Sequence, residues 1–185
     1  MKHRLSRVFV AALFLSALVC AHGQVSAYGT VATTDYGYSF NGDSFTIGGP
    51  SIGFGLGGYY NFPVQSRLTA GIDLRGSVSP RLSGGKKVLV SGRFGFVPTR
   101  FPLRPYVQIG GGVIQAKVPA FAFVASPQTV TQGALDLALG LDVRITHDFD
   151  WRALELESGA GGGRSSGSGS ASISTGVVYH FHPRS

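Results

Sequence analysis

Charged residues within apolar or small-residue segments are the first candidates for chemistry in this chain. Both signs occur, and Glu155 and Glu157 fall on one face of a predicted strand. Paired carboxylates can act as general acid and base, but structural ion-pair networks bring the same groups together. Because arginines occur on the same faces, we favour a network that neutralises itself inside the fold. Its predicted members are Asp73, Arg75, Arg93, Asp136, Asp142, Arg144, Glu155 and Glu157.

Three histidines, His147, His180 and His182, are predicted at the same end of the fold. Three imidazoles can bind zinc, but their spacing matches no zinc motif. His180 shares a strand face with Ser174, yet the strand separates them by about 20 Å, whereas a nucleophile and its base must be about 3 Å apart. We therefore predict no catalytic, metal-binding or cofactor-binding site, and we interpret the histidines as polar residues at one mouth of the fold.

Strands must position these residues, because hydrophobicity alternates with period two along the chain. In the clearest segment, Leu135, Leu137 and Leu139 face one way, while Asp136 and Asp142 face the other. No segment after residue 23 has a helical period, and clusters of Gly, Pro, Ser and Asn separate the alternating segments. The predicted strands are 25–34, 51–62, 68–78, 88–97, 105–115, 132–146, 151–158 and a closing strand that ends at Phe181.

The connections between these eight predicted strands alternate in length. The longer ones are 35–50, 79–87, 116–131 and 159–170, and the shorter ones are 63–67, 98–104 and 147–150. An antiparallel sheet with an even number of strands can close on itself and leave no unpaired edge. Strands of about 9–11 residues, with short turns on one side and longer loops on the other, are typical of outer-membrane barrels.

The closing strand carries the most specific local pattern, formed by Ser174, Gly176, Tyr179 and Phe181. It resembles the closing-strand signal by which bacterial outer-membrane barrels are recognised and inserted. Residues 105–112, Pro-Tyr followed by a glycine run, resemble a segment of the small OmpA/OmpX-type barrels. The resemblance covers nearly all of the chain after residue 23. It implies an all-β, eight-stranded antiparallel up-and-down transmembrane β-barrel, with outer-membrane lipids around it and the barrel-assembly machinery as its partner during insertion.

Alternation alone does not show which face lies outside, because a soluble lipocalin-type barrel would enclose the apolar face. Small residues crowd the polar face, as a narrow lumen requires, and Lys86, Lys87 and Lys117 all fall in predicted loops. Both observations favour an apolar face turned towards lipid. Aromatic residues at the predicted periplasmic ends would then form an interfacial girdle. The candidates are Tyr60, Phe62, Phe96 and Trp151, with Tyr179 and Phe181 of the closing strand.

The first 23 residues have the three parts of a secretory signal peptide. A basic start precedes an apolar run over 8–21, and small residues lead to a predicted cleavage after Gly23. The run is too short to span a membrane as a helix, which takes about 20 residues. We therefore predict a signal peptide over 1–23 and an outer-membrane β-barrel domain over 24–185, located in the bacterial outer membrane.

The charge that remains after the signal peptide is modest. Of the 16 Lys and Arg residues, 13 follow residue 23, against nine Asp and Glu residues. No basic patch interleaved with aromatic residues is present, so we predict no nucleic-acid partner. The glycine runs at 110–112 and 159–163 are not phosphate-binding loops, because no helix follows either of them.

The favoured function is non-catalytic. The barrel would anchor four external loops in the membrane, for envelope integrity or for surface interaction, because a lumen of eight strands is filled by side chains. An apolar loop segment over 118–125 could bind an unknown surface partner or enter the outer leaflet. Two alternatives stay open: a narrow pore for small solutes, and a soluble exported binding barrel of the lipocalin type.

Overall fold

The computed structural model describes residues 23–40, 43–46, 49–80, 85–118, 128–162 and 166–181. No helix long and apolar enough to cross a membrane occurs among them. Residues 1–22 lie outside these ranges, so the signal peptide stays a prediction. The strands are β1 (Gln24–Phe40), β2 (Asp43–Thr46), β3 (Ser51–Gln65), β4 (Leu68–Val78), β5 (Gly85–Phe96), β6 (Leu103–Val118), β7 (Gln128–Arg144), β8 (Phe149–Gly162) and β9 (Ser166–Phe181).

Eight of these strands form a closed antiparallel barrel. They pair in the order β1, β3, β4, β5, β6, β7, β8, β9, and β9 pairs with β1 to close the sheet. The closing ladder runs from Val25 opposite Phe181 to Phe40 opposite Ser166, and the short strand β2 folds back on the end of β1. The predicted eight-stranded antiparallel barrel is confirmed, because every long strand has a neighbour on each side and the sheet has no free long edge.

The barrel turns its apolar side chains outwards. On β7 every second residue from Leu135 to Val143 faces outwards and is apolar, and Leu135 is 74% exposed. On β5 the outward row runs from Val88 to Phe96. Rows of about 9–11 residues match a tilted crossing of a bilayer. We call this belt of outward side chains the apolar band.

Several strands continue beyond the apolar band at the end that carries the longer connections, here called the loop end. β8 and β9 stay paired up to Gly162 opposite Gly167, so the loop predicted over 159–170 is wrong except for residues 163–165, which lie outside the described ranges. The predicted loops 35–50 and 116–131 are shortened in the same way by β1, β2, β6 and β7. The ladder needs only backbone groups, so Gly and Ser sequences without apolar alternation extend it.

The opposite end, here called the turn end, holds the start of β1, the end of β9 and the turns at 66–67, 97–102 and 145–148. A bulge lies close to it, where the β7–β8 register shifts between Leu141 and Asp142, and the β8–β9 register shifts between Arg152 and Glu155. Because a bulge adds a residue to one strand, it changes which residues point inwards. Arg152 therefore faces the lumen and Trp151 faces outwards.

Candidate functional site

The lumen of the barrel collects the charged residues of the strands. Seven of the eight predicted network members are buried there: Asp73, Arg75, Arg93, Asp136, Asp142, Glu155 and Glu157. Arg144 was expected with them but is exposed, because it is the last residue of β7, at the turn end of the barrel. Arg144 Nε instead donates to the carbonyl oxygen of Thr146 at 3.4 Å. The interior of this barrel is therefore charged, whereas a lipocalin-like barrel requires an apolar interior.

Arg75 on β4 and Glu155 on β8 form the centre of the network. The Nη1 and Nη2 atoms of Arg75 donate to the two carboxylate oxygens of Glu155, each at 2.9 Å. Nη1 also donates to Glu157 at 2.9 Å, and Nη2 to Gln108 at 2.7 Å. A planar guanidinium paired with a carboxylate through two parallel bonds has a fixed orientation. This pair therefore fixes two strands that lie opposite each other across the barrel.

Lys87 extends this cluster towards the loop end. Its ammonium group pairs with Glu157, and its side chain is buried. The sequence placed Lys87 in a loop, but β5 begins at Gly85, and alternation then points Lys87 into the lumen while Lys86 faces outwards. Asp136 on β7 is also buried, and its Oδ2 atom has no hydrogen-bond partner among the described residues.

Tyr28 and Gln108 connect the central pair to Asp73. The Tyr28 hydroxyl donates to Asp73 Oδ1 at 2.8 Å and accepts from Arg75 Nε at 3.0 Å. Gln108 Nε2 donates to Asp73 Oδ2 at 3.1 Å. Asp73 is completely buried, so these bonds replace the water that its carboxylate loses.

A second carboxylate, Asp142, is held by two arginines nearer the turn end. Arg93 Nη2 donates to one oxygen of Asp142 at 2.8 Å, and Arg152 Nε donates to the other at 3.1 Å. Arg152 Nη1 also lies 3.3 Å from Glu155 Oε2, so this side chain links the two carboxylates. Arg152 is 0% exposed and is the largest fully buried side chain among the described residues.

Three lumen tyrosines stack with the arginines. The guanidinium carbon of Arg93 lies 3.5 Å from the ring centroid of Tyr106 and 4.3 Å from that of Tyr59. The guanidinium of Arg152 lies 4.2 Å from the centroid of Tyr28. Ring faces attract cations, most strongly where water is excluded. The Tyr106 hydroxyl in addition donates to Glu155 Oε2 at 2.5 Å, so this residue serves both the cation and the carboxylate.

At the turn end, His180 joins the last strand to the first. Its Nδ1 atom lies 2.8 Å from the Ser26 hydroxyl on β1, and its Nε2 atom lies 2.9 Å from Asp150 Oδ2 on β8. Serine, histidine and aspartate are thus in the order of a hydrolase triad. Ser26 is only 1% exposed, and its hydroxyl is buried against His180. Arg104 also donates to Asp150 at 2.8 Å. The cluster therefore links several strands at this end of the barrel.

Two small cavities remain in the lumen. The one nearer the loop end has a volume of about 20 Å³ and borders Lys87 and Glu157, and the one nearer the turn end has about 40 Å³ and borders Arg93 and His180. Each has room for one to a few waters, because a single water needs about 10–15 Å³ on this measure. The two cavities share no bordering residue. Five buried residues border neither cavity, and they are called here the closing layer: Tyr28, Asp73, Gln108, Arg152 and Val178.

The predicted girdle residues occupy the outer face at the turn end. Phe62, Phe96 and Trp151 are exposed, whereas Tyr60 is half-buried and its ring centroid lies 6.5 Å from that of Phe62. Trp151 Nε1 donates to Thr175 Oγ1 at 3.1 Å. In the closing strand Tyr179 and Phe181 face outwards with ring centroids 4.8 Å apart, while Ser174 and Gly176 face inwards.

The sequence did not single out several lumen residues that the structure places at the centre. Lys87 was missed because the start of its strand was predicted too late. Arg152 was missed because of the bulge, since strict alternation with Glu155 points Arg152 outwards. The remaining three, Tyr28, Tyr106 and Gln108, lie at inward positions of their strands. Their place in the alternation was the sequence signal that could have identified them as lumen residues. Among the described residues no group of three His, Cys, Asp or Glu side chains could hold a metal ion. His182 and residues 119–125 of the apolar segment lie outside the described ranges.

The barrel is similar to solved structures of bacterial outer-membrane barrels. The N-terminal β-barrel domain of Pseudomonas aeruginosa OprF matches with a TM-score of 0.54 and 16% sequence identity, covering 82% of this chain and 97% of that chain. Neisserial surface protein A matches with a TM-score of 0.52 and 16% identity, covering 84% and 97%. The fold is that of a small outer-membrane barrel. No protein-family model and no curated protein sequence matches this chain.

Proposed function

We propose that this chain is a non-catalytic protein of the bacterial outer membrane, whose closed barrel is a rigid anchor for the contacts made at the loop end. The observation that carries the proposal is the closing layer. Its five members are at most 5% exposed and border neither of the two cavities, which share no bordering residue. A hydrated ion that crossed the barrel would have to pass through this layer.

The bonds around the layer make such a passage costly. Arg75 holds Glu155 and Glu157 together, and Arg152 is stacked on Tyr28 while it binds Asp142. Separating a buried ion pair leaves both charges without water and without a partner, which costs about 3–5 kcal/mol. A fixed plug of this kind suits an anchor and opposes solute flux.

The loop end supplies the surface for contacts. β8 and β9 run paired beyond the apolar band, where outward residues such as Ala160, Gly169 and Ala171 are small, and β1 carries β2 as an extra hairpin strand. Regular strands outside the bilayer hold the connections at a fixed height above it. This geometry supports binding of a surface partner by the loops, as an extended and preorganised support reduces the entropy that binding must overcome.

A planar-bilayer recording tests the proposal against the narrow-pore alternative. The wild-type protein is expected to insert without discrete conductance steps. A Tyr28→Ala/Tyr106→Ala variant removes one ring of the closing layer and one ring that faces its Arg152, and it is the control for insertion, expected to conduct. Wild-type steps of porin size would overturn the anchor and establish the pore.

A further inference from the structure

Three arginines stand apart from the lumen network, and here they are called the rim arginines: Arg67, Arg100 and Arg144. All three are exposed, and each belongs to a different connection at the turn end. Arg67 lies in the β3–β4 turn, Arg100 in the β5–β6 turn, and Arg144 at the end of β7 before the β7–β8 turn. Every described turn at this end therefore carries one exposed guanidinium group.

The rim arginines differ from the lumen cations in their partners. Each of the five cations that point inwards has a carboxylate oxygen within 4 Å: Arg75, Lys87, Arg93, Arg104 and Arg152. Within the described ranges, no carboxylate lies that close to a rim guanidinium. Arginine stays charged at all relevant pH values. The rim arginines are thus available to an anion from outside the barrel.

Exposed aromatic side chains lie beside the rim arginines. Arg100 is followed by Phe101, which is 68% exposed. Phe96 stands opposite Leu68, the residue after Arg67, and Trp151 stands opposite Val143, the residue before Arg144. Aromatic rings with arginine just beyond them are the usual composition of a membrane–water interface. The guanidinium groups therefore lie at the level of lipid headgroups.

We propose that the rim arginines bind the phosphate groups of anionic phospholipids in the leaflet next to the turn end. The inference rests on the proposed membrane location. The three arginines lie at turns spaced two strands apart, over about half of the rim, so a leaflet around the barrel reaches all of them, whereas a protein partner docked at one turn would reach one. Guanidinium groups bind phosphate through two parallel hydrogen bonds, and one basic residue near an anionic surface contributes up to about fivefold in affinity.

Trp151 provides a local reporter, because it is the only tryptophan of the chain and lies beside Arg144 in the ladder. Full-length protein is reconstituted into mixed vesicles of phosphatidylcholine and phosphatidylglycerol, in which one lipid or the other carries brominated acyl chains. Quenching of Trp151 then measures the relative occupancy of the two lipids next to it. At low salt, phosphatidylglycerol is expected to be preferred by up to about fivefold, and the preference is expected to disappear at high salt.

Two matched variants decide the assignment. Arg144→Gln is expected to abolish the preference at Trp151. Arg67→Gln removes the same charge from the β3–β4 turn, four strands away on the opposite side of the barrel, and is expected to leave the preference unchanged. No preference in the wild type, or equal loss in both variants, would overturn the inference.

Two further outcomes separate the alternatives. Added inorganic phosphate at constant ionic strength is expected to leave the quenching unchanged, and displacement of phosphatidylglycerol by free phosphate would show an anion site without lipid specificity. Absence of quenching by either brominated lipid would contradict the membrane location itself, and the rim assignment with it.

Discussion

Arg75 and Glu155 meet across the full width of the barrel. They belong to β4 and β8, four strands apart in either direction around the sheet, and two hydrogen bonds of 2.9 Å join them. Gln108, Tyr28, Tyr106, Glu157 and Arg152 all contact one of the two. The pair is therefore the point at which the strands of the barrel are tied together through its interior.

Removal of Arg75 tests this tie. Arg75→Ala leaves the carboxylates of Glu155 and Glu157 buried with less counter-charge, and the free energy of unfolding is expected to fall by about 3–5 kcal/mol. Urea unfolding in detergent micelles, followed by Trp151 fluorescence, provides the measurement. Arg67→Ala removes an exposed arginine instead and is expected to change stability by no more than about 0.5 kcal/mol. Equal losses of stability in the two variants would show that Arg75 in the lumen network stabilises the barrel no more than an exposed arginine does.

Tyr106 separates the contribution of a hydroxyl from that of a ring. Tyr106→Phe removes the donor to Glu155 but keeps the ring beside Arg93, so a loss of about 2 kcal/mol is expected from the missing bond to a charged group. Tyr106→Leu removes the ring as well and is expected to cost about 1–2 kcal/mol more. The outward Tyr179→Phe is the control for the loss of a tyrosine hydroxyl. A Tyr106→Phe variant with wild-type stability would show that the hydroxyl does not stabilise the barrel.

Two glycines of β7 give a test of lumen crowding on one strand. A Cβ atom at Gly140 would overlap the ring of Tyr106, whereas a Cβ atom at Gly133 meets nothing within 4 Å. Gly140→Ala is therefore expected to destabilise the barrel by about 1–3 kcal/mol. Gly133→Ala is expected to be neutral or to stabilise it by up to about 1 kcal/mol. Thermal loss of the folded band on gels compares them, and the reverse order would contradict the packing described.

The depth of the apolar band can be measured with arginine substitutions on the outer face of β7. Leu139 lies in the middle of the band, and Thr131 lies on the same face beyond it. In phospholipid vesicles, Leu139→Arg is expected to cost about 2–4 kcal/mol, and Thr131→Arg about 0–1 kcal/mol. If water instead of lipid surrounds this face, both variants will have wild-type stability.

Alternation with period two was sufficient to predict the barrel and the direction of most side chains. The rows from Leu135 to Val143 and from Val88 to Phe96 face outwards as expected, because a half-buried strand must separate apolar from polar residues between its faces. The ends of the strands were predicted less well. β8 and β9 continue through Gly and Ser residues, where the ladder is held by backbone bonds and leaves no trace in hydrophobicity.

The partners inside the lumen could not be predicted from the sequence. Which inward residues meet depends on the stagger of the strands around a closed barrel, and this is a property of the whole sheet. The contact of Arg75 with Glu155, across 80 residues of chain, is an example. Arg152 was missed for a local reason, since the bulge before Glu155 reverses the alternation on which its direction was judged.

We expect the barrel to be closed in the cell, with its apolar face in a membrane and its charges inside. The most direct measurement is to express the full chain in a Gram-negative host, isolate the outer-membrane fraction and run it on dodecyl sulfate gels with and without boiling. We expect a band in that fraction whose mobility changes on boiling, because a closed ladder with ion pairs across its lumen resists the detergent until it is heated. A soluble periplasmic product with the same mobility before and after boiling would contradict it.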